Sequence, residues 1–327
     1  MFEFVLFPLG FLLLLKGADY LIDGAVALAE KLRVSSLFTG LTVVALGTSL
    51  PEFFVNLFSA ISGNGGISLG NIIGSNIANT LLILGFLALL SPLSLNRSLL
   101  RKEIPFCLLA SAILILLAND QMISNQPSLV SRTDGIVLLA FFLLFLYYLY
   151  TLFRKTRAKE KLEKVIGIEL PEVKPKDNLT IMLFLLAGVA GLFFGGQWVV
   201  DGARAIAEGL GLTTFLISAT LIGLGTSFPE LMTSVLAIVK KKQEIALGNI
   251  FGSNIFNIFF VLGFSSLISP IPFSFWINFD LFFLFGSTLL LLGLVAEKLK
   301  LDRKRGSLLL ALYILYIVLI ISREVLA

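Results

Sequence analysis

Long apolar runs follow one another along almost the whole chain, separated by clusters of charge and by Gly, Pro and Asn turns. Breaking the pattern at those points predicts ten helices, over 3–31, 36–62, 67–90, 102–118, 133–153, 179–208, 213–240, 243–268, 274–296 and 306–323. Several runs approach or exceed the ~20 residues that a helix needs to cross ~30 Å of hydrocarbon, which makes this an all-α integral membrane protein. The first run, Phe4 to Leu15, follows Glu3 and lacks both a basic leader and a small-residue cleavage site, so it reads as a retained helix and not a signal peptide.

Sliding the chain against itself by 178 residues aligns Gly17–Pro92 with Gly195–Pro270 without a gap, with 31 identities in 76 positions. Of these, 19 are Gly, Pro, Ser, Thr, Asn, Asp or Glu, which a shared lipid environment does not explain. The chain is therefore a duplication: residues 1–153 and 179–327 each carry five helices, and 154–178 joins them. An odd number of crossings per half turns the second half upside down, giving two inverted five-helix repeats with a site expected near the midplane between them.

Charge then sets the orientation. With the N-terminus outside, the inward connections hold 21 of the 25 Lys and Arg, eight of them in 154–178, while the outward ones hold only Arg132 and Arg323. Both termini are thus expected outside and the 154–178 linker in the cytoplasm. The net charge of +4 follows from these loops and calls for no nucleic-acid partner. Hydrophobic residues make up 57% of the chain and charged residues 14%, too few for a soluble surface. Cys107 is the only cysteine and there is no histidine, so an internal disulfide is excluded and the usual zinc and non-haem iron sites are unavailable.

The chemistry sits in polar segments inside apolar spans: GTSLPE (Gly47–Glu52) with GNIIGSNIAN (Gly70–Asn79), and GTSFPE (Gly225–Glu230) with GNIFGSNIFN (Gly248–Asn257). Pro51 and Pro229 lack an N–H and clash with the preceding turn, so the helices are expected to break near Gly47 and Gly225 and to free backbone carbonyls at mid-membrane. On an unbroken helix Thr48 and Ser49 share a face with Glu52, and Thr226 and Ser227 share one with Glu230; Ser75 and Asn79, and Ser253 and Asn257, stand at i, i+4. Two such sets make a cage of hard oxygen donors suited to Ca²⁺ or Na⁺. Asn71, Asn76, Asn249 and Asn254 read equally as ligands or as polar glue between helices. A mid-bilayer carboxylate costs roughly 2.5 kcal/mol or more, so Glu52 and Glu230, expected as the only core acids, point to function. Asp23 and Asp201 read as interfacial caps or outer partners. Lys16 and Arg204 read as snorkelling or carboxylate-paired. The stretches Phe256–Phe264 and Phe273–Phe285 read as packing or lipid-facing surface.

These motifs resemble the calcium/cation antiporter superfamily, in its prokaryotic sodium/calcium exchanger branch, whose two alpha repeats correspond to 40–85 and 218–263 here. The resemblance implies that Glu52 and Glu230 bind Ca²⁺. It also implies that Thr48, Ser49, Ser75, Thr226, Ser227 and Ser253 supply oxygens to Ca²⁺ or Na⁺, and that Ala45 and Gly223 offer carbonyls. Asn79 matches the family's first-repeat Asn, whereas members of the branch can carry Asp where this chain has Asn257.

The expected function is alternating-access exchange of Ca²⁺ for Na⁺, with the ions as cargo, no cofactor, and a monomer in the bilayer as the working unit. Exchange against H⁺ is the alternative coupling, because a desolvated carboxylate can itself take up a proton. A passive cation channel is the alternative class. An intramembrane enzyme is disfavoured, since Ser49 has no base but the glutamates.

Overall fold

A computed structural model of the chain describes residues 2–62, 65–119, 128–165, 176–209 and 225–326. The described residues are almost entirely helical. Helix α1 (Phe2–Leu32) is followed by α2 (Ser36–Thr39), a π-helical turn at Gly40–Val44, α3 (Ala45–Thr48) and α4 (Leu50–Ile61). Then come α5 (Gly65–Ile77), a π turn at Ala78–Ile83 and α6 (Leu84–Leu90), followed by a π turn at Leu99–Glu103 that leads into α7 (Ile104–Ala118). The long helices α8 (Arg132–Val165) and α9 (Asn178–Gly209) follow. The chain continues with α10 (Phe228–Val239), α11 (Gln243–Ile255), a π turn at Phe256–Leu262, α12 (Gly263–Ile268), α13 (Ile277–Ala296) and α14 (Arg303–Leu326).

Six stretches among the described residues are long and apolar enough to cross a membrane, and α2–α4, bent by 44° at its break, makes a seventh; α10 is a shorter apolar helix. The start of the expected 213–240 helix lies outside the described residues. One boundary moves clearly. Helix α8 runs past the expected end at 153 to Val165, because Arg154–Val165 is rich in Lys, Arg and Glu, which favour helix, even though it is too charged to lie in lipid.

Local signals explain several starts. The Ser35 side chain accepts from the Phe38 N–H at 3.1 Å, capping α2. Ser131 and Asp134 cap α8 reciprocally, the Asp134 N–H donating to the Ser131 hydroxyl at 3.2 Å and the Ser131 N–H to the Asp134 carboxylate at 2.7 Å. Asp177 and Asp302 cap α9 and α14. Bonds from Thr180 and from the Arg305 N–H, respectively, hold these carboxyls below their usual value of 3.8.

Packing is inverted relative to a soluble protein. Leu143, Tyr147, Phe282 and Val318 face outward, while Glu52, Asn56, Thr233, Asn249 and Asn254 are buried. The phenylalanine-rich stretches divide between these roles: Phe256 and Phe259 are buried, Phe275 and Phe282 exposed. Helices α1 and α9 touch backbone to backbone. A Cβ at Gly17 would come within 2.6 Å of the Leu192 nitrogen, and one at Gly188 within 2.6 Å of the Leu21 nitrogen, so only glycine permits this approach.

Two short antiparallel ladders tie the halves together. Leu93–Ser94 pairs with Lys300–Leu301, and Leu129–Val130 with Ile271–Pro272, in the register Leu93↔Leu301 and Val130↔Ile271. Residues 93 and 271 are 178 apart, so the second ladder repeats the first with the halves exchanged.

Candidate ion site

The break in each half falls at a serine, two residues beyond the glycine expected from sequence. Ser49 has φ −83° and ψ 4°, and Ser227 has φ −85° and ψ −1°. The prolines explain the location, because Pro51 and Pro229 sit in the first turn of α4 and α10, where a missing N–H costs nothing. The glutamates follow in the same turn, near the positive end of the helix dipole, a placement that favours an anion.

This break changes which groups meet. An unbroken helix would put Thr48 and Ser49 on the face of Glu52; instead the Ser49 hydroxyl reaches across to Glu230 Oε1 at 3.4 Å, where Ser253 also donates at 3.4 Å and Thr48 lies alongside. Glu52 is faced by Ser75 of its own half and Thr226 of the other. Those two hydroxyls bond each other at 3.1 Å, just as Thr48 and Ser253 do at 3.3 Å. Thr48 also donates to Asn249 Oδ1 at 2.9 Å, and Thr226 to Asn71 Oδ1 at 3.0 Å. Adding 178 to one half and subtracting it from the other turns the contacts of Thr48 with Ser253 and Asn249 into those of Thr226 with Ser75 and Asn71, whereas the Ser49–Glu230 bond has no Ser227–Glu52 counterpart among the described residues.

Both glutamates are fully buried and lie close enough to sense each other's charge. Neither Glu52 oxygen and only one Glu230 oxygen has a hydrogen-bond partner among the described residues. Their backbones are held from behind, Asn56 donating to the Glu52 carbonyl at 2.6 Å and Asn249 to the Glu230 carbonyl at 3.5 Å. Two unneutralised carboxylates in a desolvated interior are costly, so the arrangement is suited to a cation.

The remaining expected residues fall around this centre. Asn79 and Asn257 are fully buried in the π turns, each with an orphaned Oδ1. The wider π winding breaks the plain i, i+4 relation to Ser75 and Ser253 assumed from sequence. The Ser227 hydroxyl is buried with no partner among the described residues. The Ala45 carbonyl is already engaged, accepting from the Ser49 N–H at 3.0 Å, Thr48 at 3.3 Å and Ser253 at 3.5 Å. Gly223 and the Arg204 side chain lie outside the described residues. Among those residues no group of three or more His, Cys, Asp or Glu side chains could hold a metal, so any cation here rests on two carboxylates and neutral oxygens.

The four ambiguous asparagines all work within this network: Asn71 and Asn249 accept from the threonines, and Asn76 and Asn254 hold the Asn257 and Asn79 amides. The expectation of only two core acids does not hold. Glu103 is fully buried and Asp280 nearly so, Glu103 accepting from Tyr148 and from Ser98 at 3.1 Å, Asp280 from Tyr316 at 3.2 Å and from Arg323 at 3.5 Å. Both sit at helix starts beside basic loops or aromatic runs, so their sequence context reads as interfacial; partners from distant helices, Tyr148 and Tyr316 among them, hold them inside.

Among the described residues the two halves differ in the space beside the centre. A cavity of about 290 Å³ reaches Gly225, Thr226 and Pro229 between Phe54, Phe58, Gln197 and Val200. Of the residues equivalent to its lining in the other half, Ala18, Ile22, Thr48 and Thr233 are completely buried, while Leu15 is 40% exposed. Beside them Lys240 forms ion pairs of 2.5 Å with both Asp19 and Asp23 of α1. Asp23 is thus an ion-pair partner of another helix, while Asp201, among the described residues, accepts from Gln197 of its own helix at 3.5 Å.

A family model for the sodium/calcium exchanger protein matches residues 2–151 and 180–322. The chain is 37% identical to the putative antiporter CaxA of Alkalimonas amylolytica over 80% of this chain and 79% of that protein. It is 30% identical to the sodium/calcium exchanger MaX1 of Methanosarcina acetivorans over 97% and 98% of the two chains. Its fold matches a structure of the sodium-calcium exchanger NCX_Mj with a TM-score of 0.78 and 33% identity, covering 97% of this chain and 98% of the other. With both halves of the chain inside the matched region and the duplicated polar segments at its centre, the protein belongs to the sodium/calcium exchanger family.

Proposed function

We propose that this protein exchanges Ca²⁺ for Na⁺ across the membrane by alternating access, at a site built on Glu52 and Glu230. The observation that carries the reading is the pair of fully buried carboxylates, each faced by hydroxyls from both halves and left with orphaned oxygens. A site charge of −2 is balanced by one Ca²⁺ or by two Na⁺, so either load neutralises the centre and the two compete for it. Thr48, Ser49, Ser75, Thr226, Ser227 and Ser253 supply hydroxyl or backbone oxygens, Asn79 and Asn257 their amide oxygens, and Ala45 and Gly223 their carbonyls.

The architecture belonging to this reading is ten membrane crossings in two inverted five-helix repeats, 1–153 and 179–327. The termini are outside, 154–178 is cytoplasmic, and one chain suffices. The exchanged hydrogen bonds and the two exchanged ladders support the repeat, and the basic loops support the orientation. On that orientation the cavity beside Thr226 opens outward and the Lys240 side is closed.

The test is ⁴⁵Ca²⁺ uptake into proteoliposomes. Uptake driven by internal Na⁺ and absent without a counter-ion is the expected result. Uptake that needs no counter-ion would identify a channel, and uptake driven only by a proton gradient would replace Na⁺ by H⁺. A tag at either terminus should react with impermeant reagents added to intact cells, and one near Lys161 should not.

A further inference from the structure

The amide of Asn257 is held from one side only. It donates from Nδ2 to Asn76 Oδ1 at 3.1 Å, while its own Oδ1 is buried and has no hydrogen-bond partner among the described residues. Asn76 in turn donates from Nδ2 to the backbone carbonyl of Asn254 at 3.0 Å. A backbone carbonyl can only accept, so the NH₂ of Asn76 must lie on that side and its oxygen must face residue 257. An oxygen there requires a donor opposite it, which forces Asn257 to present its NH₂ to Asn76 and to turn its oxygen the other way. Asn76 directly follows Ser75, whose hydroxyl faces Glu52, so this chain of bonds runs alongside the glutamate pair.

The other half lacks the same lock. Asn254, the equivalent of Asn76, accepts from Asn79 at 3.0 Å, but its own NH₂ rests on the Thr80 hydroxyl at 3.1 Å. A hydroxyl donates or accepts, so it does not dictate which way the Asn254 amide faces. Residue 258, equivalent to Thr80, is isoleucine.

We propose that Asn76 is a positioning residue of the ion site: anchored by the Asn254 carbonyl, it fixes Asn257 as a neutral oxygen donor and selects against a carboxylate at that position. The inference rests on the reading of Glu52 and Glu230 as the ion site and extends it to the site's charge. A carboxylate at 257 would bring oxygen against Asn76 Oδ1. Relieving that contact by flipping Asn76 would set its oxygen against the Asn254 carbonyl instead. The site is thereby kept at two negative charges by a residue that is not itself a ligand.

The test is a double-mutant cycle of Asn76→Thr and Asn257→Asp, read as the half-saturating Ca²⁺ concentration for exchange and as the rise in Tm that Ca²⁺ gives the purified protein. A threonine hydroxyl accepts from an amide but also turns to donate to a carboxylate. Each single change should raise half-saturating Ca²⁺ roughly tenfold, the low end of the cost of removing a group that orients a metal ligand. In the Asn257→Asp background, Asn76→Thr should instead lower it by about the same factor, a reversal of sign that a packing role does not produce. Equal losses in both backgrounds, or no effect of Asn257→Asp, overturn the inference. Asn76→Ser serves the same cycle if the threonine variant does not fold. Glu52→Gln and Glu230→Gln controls separate the two levels: if Ca²⁺ binding survives them the ion site lies elsewhere, and if they abolish it while the cycle is additive, only the role of Asn76 fails.

Discussion

At the centre the threonine contacts of one half recur in the other, and at the entrances the two halves diverge. Thr48 with Ser253 and Asn249 corresponds to Thr226 with Ser75 and Asn71, and the glutamates sit in equivalent first turns. Moving outward along α1 and α9, equivalence gives way to contrast: Asp19, Asp23 and Lys240 on one side correspond to Gln197, Asp201 and Ser62 on the other. The first set closes the bundle with ion pairs, while Gln197 lines an open cavity. On the proposed exchange, a nearly two-fold centre takes the same cargo from either side, and the unequal entrances are where the two sides differ.

The strongest way to break the central equivalence is to remove one charge. Glu52→Gln and Glu230→Gln should each cut Ca²⁺ exchange by roughly two orders of magnitude or more, since stripping one partner from a buried charge set costs about 3–5 kcal/mol. Thermal unfolding without Ca²⁺ should be little changed. Near-normal flux in either variant would remove that carboxylate from the site.

A finer probe asks whether the hydroxyls are truly equivalent. Thr48→Val and Thr226→Val each delete a hydroxyl that bonds a serine and an asparagine, a change worth about 1–3 kcal/mol. Each should raise half-saturating Ca²⁺ about tenfold, and the two values should agree within about threefold. A larger gap would mean that the centre is as asymmetric as its entrances.

The entrances themselves can be compared by labelling in a Cys107→Ser background, which removes the only native cysteine. Val55→Cys, in the cavity, should react with an impermeant thiol reagent added outside. Thr233→Cys, its buried equivalent, should be protected. Equal reactivity of the two would contradict one-sided access.

The smallest effect is expected at the Lys240 ion pairs. Their side chains are 27% to 43% exposed, so screening limits them to about 1 kcal/mol or less. Lys240→Ser, which restores the residue of the other half, should shift labelling toward the buried side by about fivefold at most. Burial works against the ammonium, but the bonds to Asp19 and Asp23 prevail and hold its pKa above the usual 10.5. A raised lysine contributes fully below its ordinary pKa and loses that contribution only as pH rises through the higher value. The shift should therefore be constant between pH 6 and 9, and a titration of the effect within that window would assign it to another group.

The duplication, the polar segments and the two mid-span glutamates were legible in the sequence because each depends on residue type and spacing. A proline removes an N–H wherever it stands, and a carboxylate in an apolar run carries its cost with it. Among the described residues six stretches and one bent pair are long and apolar enough to span, as the same logic expects, while in the charged extension of α8 to Val165 helix propensity outlasts hydropathy. Partner choice was not legible. That Thr48 and Ser49 serve Glu230 and not Glu52 depends on a turn of the backbone at Ser49, and that Glu103 is buried depends on Tyr148, 45 positions away. The π turns at Asn79 and Asn257, the exchanged ladders and the one-sided cavity likewise arise from how helices settle against each other. Local chemistry along the chain determined which groups enter the membrane; only packing between distant segments decided which of them meet, and from which side they are reached.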